Sequence, residues 1–248
     1  MGTSAPATRR ARQRAATVTE IKQTARGLLV RDGPEALTLR AIAREMGMTA
    51  PALYRYFASY EELVGALCLD LLDDLTASLE RARDLVPSPD PMDRLVATCR
   101  EFRRWALAHP REFQFVFAWI GPSRADGAPT GSAASAAPTG PAGLEQPEMD
   151  ISFGRVFLDL FAELWAQRPF PVPSDAELSP ALVSQLRAFA VQVGIELPAG
   201  LLATFISSWV RLYGAVTIEV FGHLGFALQD PEPMFEAILS ELARTLRP

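Results

Sequence analysis

The chain has 248 residues, nearly half of them apolar, and a formal net charge of −5. That length suits one large domain or two modest ones around a sizeable core. Cys68 and Cys99 are too few and too far apart for a metal motif or a disulfide framework, and they read as buried thiols in a reducing compartment.

Helical periodicity dominates and no convincing β-alternation appears, so the expected class is all-α. Residues 1–16 are polar and Arg-rich, lack the apolar stretch of a secretory signal, and read as a disordered basic arm. Thr17 with Glu20 forms a capping box, and Val18, Ile21, Ala25, Leu28 and Leu29 follow at helical spacing until Asp32-Gly33-Pro34. Short helices are predicted from Thr38 to Gly47 and over 49–56. A second capping box, Ser59 with Glu62, opens a long helix to about Leu85. Helices over 92–108 and from Pro110 follow.

Residues 121–150 change character: 22 of the 30 are Gly, Pro, Ala, Ser or Thr, which predicts a disordered loop. Further helices are expected over 153–166, from Ser179-Pro180 to about Val193, over 198–224, and from Asp230-Pro231 onward. The longest strongly apolar charge-free run, 197–210, is well short of the ~20 residues of a membrane span, so a soluble cytoplasmic protein without a membrane partner is expected.

Charge is uneven along the chain. Residues 1–58 hold ten Arg and Lys against four acids, a net of +6, and the other 190 residues carry −11. A basic end on an acidic body suits an end that meets a polyanion, although charge alone fits an ordinary solvated surface equally well.

The segment 37–57 carries the sharper signal. Ala43 is small where two helices would cross, Gly47 follows where the chain must reverse, and Leu53 comes six residues later facing the core. Small residue, glycine and apolar residue at these intervals are the steric signature of a helix-turn-helix. Leu39, Ile42 and Met48 fill its core, and Thr38 and Thr49 suit N-caps. A core role does not explain Arg40, Tyr54, Arg55 and Tyr56, which fall on the other face. Ala50 and Ala52 have no polar reach and can touch only thymine methyls, so direct readout falls mainly on Arg40 and Arg55.

Thr38-x3-Ile42-Ala43-x3-Gly47-x5-Leu53-Tyr54-x-Tyr56-Phe57-x4-Glu62-Leu63 resembles the tetracycline-repressor-type (TetR) family of regulators over about residues 17–67. Trp209-x4-Gly214-x7-Gly222-His223 is similar to the pattern of a Trp- and Gly-marked C-terminal subfamily. The resemblance implies a helix-turn-helix domain at 17–58 and a helical ligand-binding and dimerisation domain at 59–248. It implies a DNA-binding set of Thr38, Arg40, Thr49, Ala50, Ala52, Tyr54, Arg55, Tyr56 and Tyr60, with 49–56 as the recognition helix. Tyr60 stands where the family usually has a phosphate-binding lysine.

The middle helices are rich in aromatic residues. Phe102, Trp105, Phe113, Phe117, Phe157, Phe161 and Trp165 read either as packed core or, as the resemblance implies, as the wall of a cavity for an apolar effector. Phe205, Trp209, Leu212, Val216 and Val220, with Phe235, Leu239 and Leu242, form apolar stripes at helical spacing. They read either as burial within one subunit or as the family's homodimer interface. A dimer would set two recognition helices about 34–36 Å apart over a pseudo-palindromic double-stranded operator. His109 and His223 have no partners in the pattern, and no nucleophile elbow, phosphate-binding glycine loop or metal spacing occurs. No enzyme, cofactor or metal is expected.

Overall fold

The computed structural model describes residues 8–120 and 146–247. Among these residues the chain forms ten α-helices and one 3-10 turn. It divides into two compact units: one built from residues up to Leu72 and from Arg111 to Gln146, the other from Asp73–Pro110 and from Pro147 onward.

The first unit begins with α1 (Arg9–Asp32), capped by Thr8, whose hydroxyl accepts from the Ala11 amide at 3.3 Å. The expected start at Thr17 is therefore eight residues late, and the part of the predicted arm from Arg9 to Ala16 is helical. Residues 1–7 lie outside the described residues. Alanine and arginine are good helix formers, so the segment extends the helix and Thr17 becomes an interior residue, its hydroxyl donating to the Gln13 carbonyl. Gly33 stops α1 at φ 91°, and a 3-10 turn (Pro34–Ala36) leads into α2 (Leu39–Glu45).

The four-residue α3 (Ala50–Leu53) is shorter than the predicted 49–56. After Leu53 the backbone passes into a mixed turn: the Arg55 amide bonds the Ala52 carbonyl and the Tyr56 amide the Leu53 carbonyl at i→i+3, and the Phe57 amide bonds the Leu53 carbonyl at i→i+4. In α4 (Tyr60–Asp84) the expected capping pair is present in altered form. Ser59 accepts from the Glu62 amide at 3.1 Å, and Glu62 reaches back to the Ala58 amide at 2.6 Å. Residues of α4 up to Leu72 belong to the first unit and the remainder to the second. The unit's core consists of Ile21, Ala25, Leu29, Leu37, Ile42, Leu53, Leu63 and Leu67. To these α6 (Pro110–Ile120) adds Phe113, Phe115 and Val116.

Polar contacts fasten α6 to α1 within this unit. Arg111 donates to the Val30 carbonyl at 2.9 Å, and the buried Glu112 carboxylate meets Arg26 at 3.4 Å.

The second unit contains α5 (Pro91–Ala108), α7 (Gln146–Gln167), α8 (Pro180–Val193), α9 (Ala199–Val220) and α10 (Glu232–Thr245). The helix α7 starts seven residues before the predicted Phe153, with Pro147 in the first turn, where a missing amide hydrogen costs nothing. The predicted loop therefore ends before Gln146, and 121–145 lie outside the described residues. Ser179 caps α8 through the Leu182 amide, and Gly194 ends it in the left-handed region at φ 67°.

The helix α9 holds an 18-residue window of mean hydropathy 1.4, long and apolar enough by composition to cross a membrane. Part of that apolarity is core: Leu201, Leu202, Phe205, Leu212 and Val216 are buried. A fork of hydrogen bonds of 2.7–2.8 Å ties Arg103 of α5 to Glu219 of α9, and the guanidinium lies 5.2 Å from the Phe235 ring centre of α10.

Candidate nucleic-acid interface and apolar cavity

The helix-turn-helix is built as its sterics require. The Thr38 hydroxyl accepts from the Ala41 amide at 3.1 Å and starts α2. At the other end Gly47 takes φ 64°, and the Met48 amide returns to the Ala43 carbonyl at 2.8 Å, closing the helix in a left-handed cap. A Cβ on Gly47 would meet nothing within 4 Å. Glycine is therefore needed for its backbone angle, not for space. Ala43 and Leu53 are buried between the helices, and Met48, expected in the core, is only half-buried. Arg31 of α1 pairs with Glu45 of α2 at 3.0 Å and holds that carboxyl below its usual range.

The residues singled out for DNA occupy the outer side of this frame. Thr38, Arg40, Thr49, Tyr54 and Arg55 are exposed, with Tyr54 at 53%. Ala50, Ala52, Tyr56 and Tyr60 are half-buried. Thr49 makes no capping bond through its side chain. Burial, and then the neighbouring Glu61, push the Tyr60 phenol up, so it stays a neutral hydroxyl. Arg14, one of the arginines assigned to a free arm, donates to the Arg55 carbonyl at 3.1 Å and lies 5.3 Å from the Tyr56 ring centre.

The second unit holds a small, partly open apolar pocket of about 40 Å³ between α5, α7, α9 and α10. Its walls are Met92, Leu95, Val96 and Cys99 from α5, Phe157 and Phe161 from α7, Phe205, Ser208, Trp209 and Leu212 from α9, Leu239, Leu242 and Ala243 from α10, and Leu246 just beyond it. A wider crevice of about 260 Å³ between α7, α8 and α9 shares Phe205 and Trp209 with it. Burial pushes the Cys99 thiol up to about 12, so it is a neutral wall atom rather than a nucleophile.

Of the seven aromatic residues predicted to line a pocket, Phe157 and Phe161 do so here. Phe102 packs behind the pocket, its ring 5.7 Å from Trp209. Trp105 stacks on His109 at 4.8 Å, and Trp165 meets Phe170 edge-on at 5.1 Å. Phe113 and Phe117 lie in the first unit, 4.4 Å apart. Aromatic character marked burial, but it did not mark which space each ring faces. The wall residues of α5 were legible as a stripe, Met92, Leu95, Val96 and Cys99, at i, i+3, i+4 and i+7.

The eight residues read as dimer-facing fall mostly inside the second unit. Phe205, Leu212, Val216, Phe235, Leu239 and Leu242 are buried within the one chain, and Trp209 and Val220 are half-buried. Of the two readings left open, burial within one subunit therefore fits those six. The same helices leave another apolar face uncovered: Val210, Ile218 and Phe221 of the α9 stretch and Met234 of α10 are 42–61% exposed. Gly214 lies between the first two of these, and a Cβ there would meet nothing within 4 Å.

A helix-turn-helix with cations on its outer side, joined to a separate helical unit with an apolar cavity, defines a DNA-binding regulator. The chain belongs to the TetR family of transcriptional regulators. Residues 21–67 match the bacterial regulatory proteins of the tetR family, and residues 95–242 match the tetracyclin repressor-like C-terminal domain. The HTH-type transcriptional regulator Rv1816 of Mycobacterium tuberculosis is 28% identical over 219 residues, which span 88% of this chain and 87% of the relative. The crystal structure of the regulatory protein SCO4313 superposes with a TM-score of 0.69 at 27% identity, covering 95% of this chain and 98% of that one. RolR, crystallised with the ligand resorcinol, shares the fold at a TM-score of 0.54 and 14% identity, over 96% of this chain and 97% of that one.

Proposed function

We propose that this regulator is a ligand-responsive repressor that binds a pseudo-palindromic operator as a homodimer and is released by a small, flat, apolar molecule. The observation that carries the effector reading is the pair of apolar spaces lined in common by Phe205 and Trp209. The crevice alone, at about 260 Å³, approaches the lower edge of the roughly 300–1,000 Å³ usual for small-ligand pockets. The walls of the smaller pocket are hydrocarbon and sulfur apart from the Trp209 indole nitrogen and Ser208, whose hydroxyl donates to the Thr204 carbonyl at 2.8 Å. Such walls suit an aromatic ring or a short acyl chain and penalise a charged ligand. Resorcinol, the ligand in the RolR structure, has the flat ring but adds two hydroxyls that these walls would leave without partners, so it serves as the polar control.

For the dimer we infer that the copies meet through the outer face of α9 and α10 around Val210, Gly214, Ile218, Phe221 and Met234. Glycine inside a helix costs about 1 kcal/mol relative to alanine. Nothing among the described residues requires it at Gly214, which supports close approach of a second helix there.

On DNA, Arg40 at the second position of α2 is the residue assigned to a base edge, with Tyr54 and Thr38 beside it for phosphates.

The test is a mobility-shift titration of the full chain on duplex DNA from upstream of its own coding sequence, with and without flat apolar probes such as naphthalene and a short-chain acyl ester, and with resorcinol as the polar control. Retention of DNA by the protein alone and release by an apolar compound is the expected result. Retention that no apolar compound alters, with no binding of such compounds by calorimetry, would overturn the effector reading.

A further inference from the structure

The first two turns of α1 run beside the turn that follows α3. Thr8, Arg10, Gln13 and Arg14 on one side, and Arg55 and Tyr56 on the other, line a surface cleft of about 440 Å³. With Ala11 these make seven lining residues, three of them arginines, two contributed by α1.

Arg14 crosses to the far wall. Its Nη1 donates to the Arg55 carbonyl at 3.1 Å, and its Cζ stands 5.3 Å from the Tyr56 ring centre. Both contacts fall on a segment with little support of its own. The α-helix has ended at Leu53, and residues 54–56 are held by short-range turn bonds. A guanidinium that donates to a carbonyl and lies over a ring fixes both the path of the turn and the orientation of the phenol.

Arg55 lies beyond the last helical residue of α3 and shares its cleft with Arg10 and Arg14. Like charges gathered around one cleft repel unless an anion lies among them. On a DNA-binding face the anion available at every step is the phosphate.

We propose that Arg14 is a positioning residue that sets the 54–56 turn, and that Arg55, so placed, grips the sugar-phosphate backbone rather than a base edge, beside Tyr56, where the family resemblance already implies a phosphate contact. Arg10 is the second cation of the same phosphate seat. This rests on the helix-turn-helix being the DNA-binding face, and it moves Arg55 from base reading to backbone anchoring. Of the two arginines first assigned to direct readout, Arg40 alone keeps that role.

The experiment uses the full chain and a duplex that the unaltered protein enriches from a randomised pool. Arg14→Ala is expected to weaken binding roughly tenfold in the unaltered background, as loss of a charged hydrogen bond would. In an Arg55→Ala/Tyr56→Phe background it should weaken binding less than about twofold, because what Arg14 positions is gone. Arg55→Ala should reduce the slope of log affinity against log salt by about 0.9 per half-site, and a repeat selection with it should return the same sequence. An equal loss from Arg14→Ala in both backgrounds would make Arg14 an independent contact and overturn the positioning role. Lost preference at one base pair with Arg55→Ala would overturn the backbone role. Failure of the unaltered protein to enrich any duplex would instead sink the DNA-binding premise.

Discussion

The two units differ in how tightly their sequences constrain them. In the first, Ala43, Gly47 and Leu53 each meet one demand: a close crossing, a left-handed backbone angle and a buried contact. Few other residues meet those demands, so the motif announces itself. In the second, the demands are for apolar volume, which leucine, phenylalanine, valine or methionine can all supply. There the pattern marks helices and apolar faces but does not mark what each face meets. The lesson is sharpest on α9, which carries two apolar stripes. Phe205, Leu212 and Val216 are buried in their own unit, and Val210 and Ile218 are exposed.

Opening each core should have the largest effect. Leu53→Ala in the first unit and Phe102→Ala in the second should each cost about 3–5 kcal/mol, read by denaturant unfolding. Only Leu53→Ala should abolish operator retention in the fraction that stays folded. If Phe102→Ala removes DNA binding to the same degree at full helicity, the units are not separable in this way.

The two stripes of α9 separate next. Val210→Glu should leave the helix content unchanged and weaken self-association by at least about 3 kcal/mol, through an unpaired charge buried at the contact. Val216→Glu, at a site with no exposure, should unfold the second unit. Sedimentation velocity with circular dichroism distinguishes them. An intact dimer carrying Val210→Glu would remove that face from the interface.

Arg40→Ala should cost about 1–3 kcal/mol on the preferred duplex and relax one base pair per half-site, which repeat selection would reveal. Unchanged preference would move Arg40 to the backbone.

A subtler test uses the buried thiols, one in each unit. Burial raises both, with Cys99 pushed up to about 12. From the ordinary thiol value near 8.5 upward, the unfolded chain loses a proton that the folded chain keeps. Stability should therefore fall as pH rises between about 8.5 and 12, by up to about 1.4 kcal/mol per pH unit for each thiol. Cys99→Ala should flatten this slope by one thiol's share in pH-dependent unfolding. An unchanged slope would mean that Cys99 is open to solvent. The smallest effect belongs to Gly47→Ala, about 1 kcal/mol of backbone strain with no clash, again read by unfolding.

Much of the architecture was legible in the sequence, and the misses have physical causes. Helix ends with a clear cap, such as Ser59 and Ser179, were predicted correctly because a side-chain oxygen bonding a free amide is a local event. The start of α1 was misread because Thr17 and Glu20 imitate a capping box inside a run that Ala11, Ala15 and Ala16 make helical anyway. The recognition helix was predicted too long because periodicity cannot tell an α-helical turn from the mixed turn after Leu53. The cavity was half-read: aromatic residues signalled burial, and only packing decided that Phe157 faces the pocket while Phe113 lies in the other unit. The brace from Arg14 left no sequence signal, because its partner is a backbone carbonyl 41 residues away.

The central claim is that the first unit reads a specific operator. The most direct measurement is selection from randomised duplexes by the full chain, followed by a salt titration on the winner. The prediction is a pseudo-palindrome with half-sites one helical turn apart, and affinity that falls steeply with salt. A pool that stays random, or retention insensitive to salt, would contradict it.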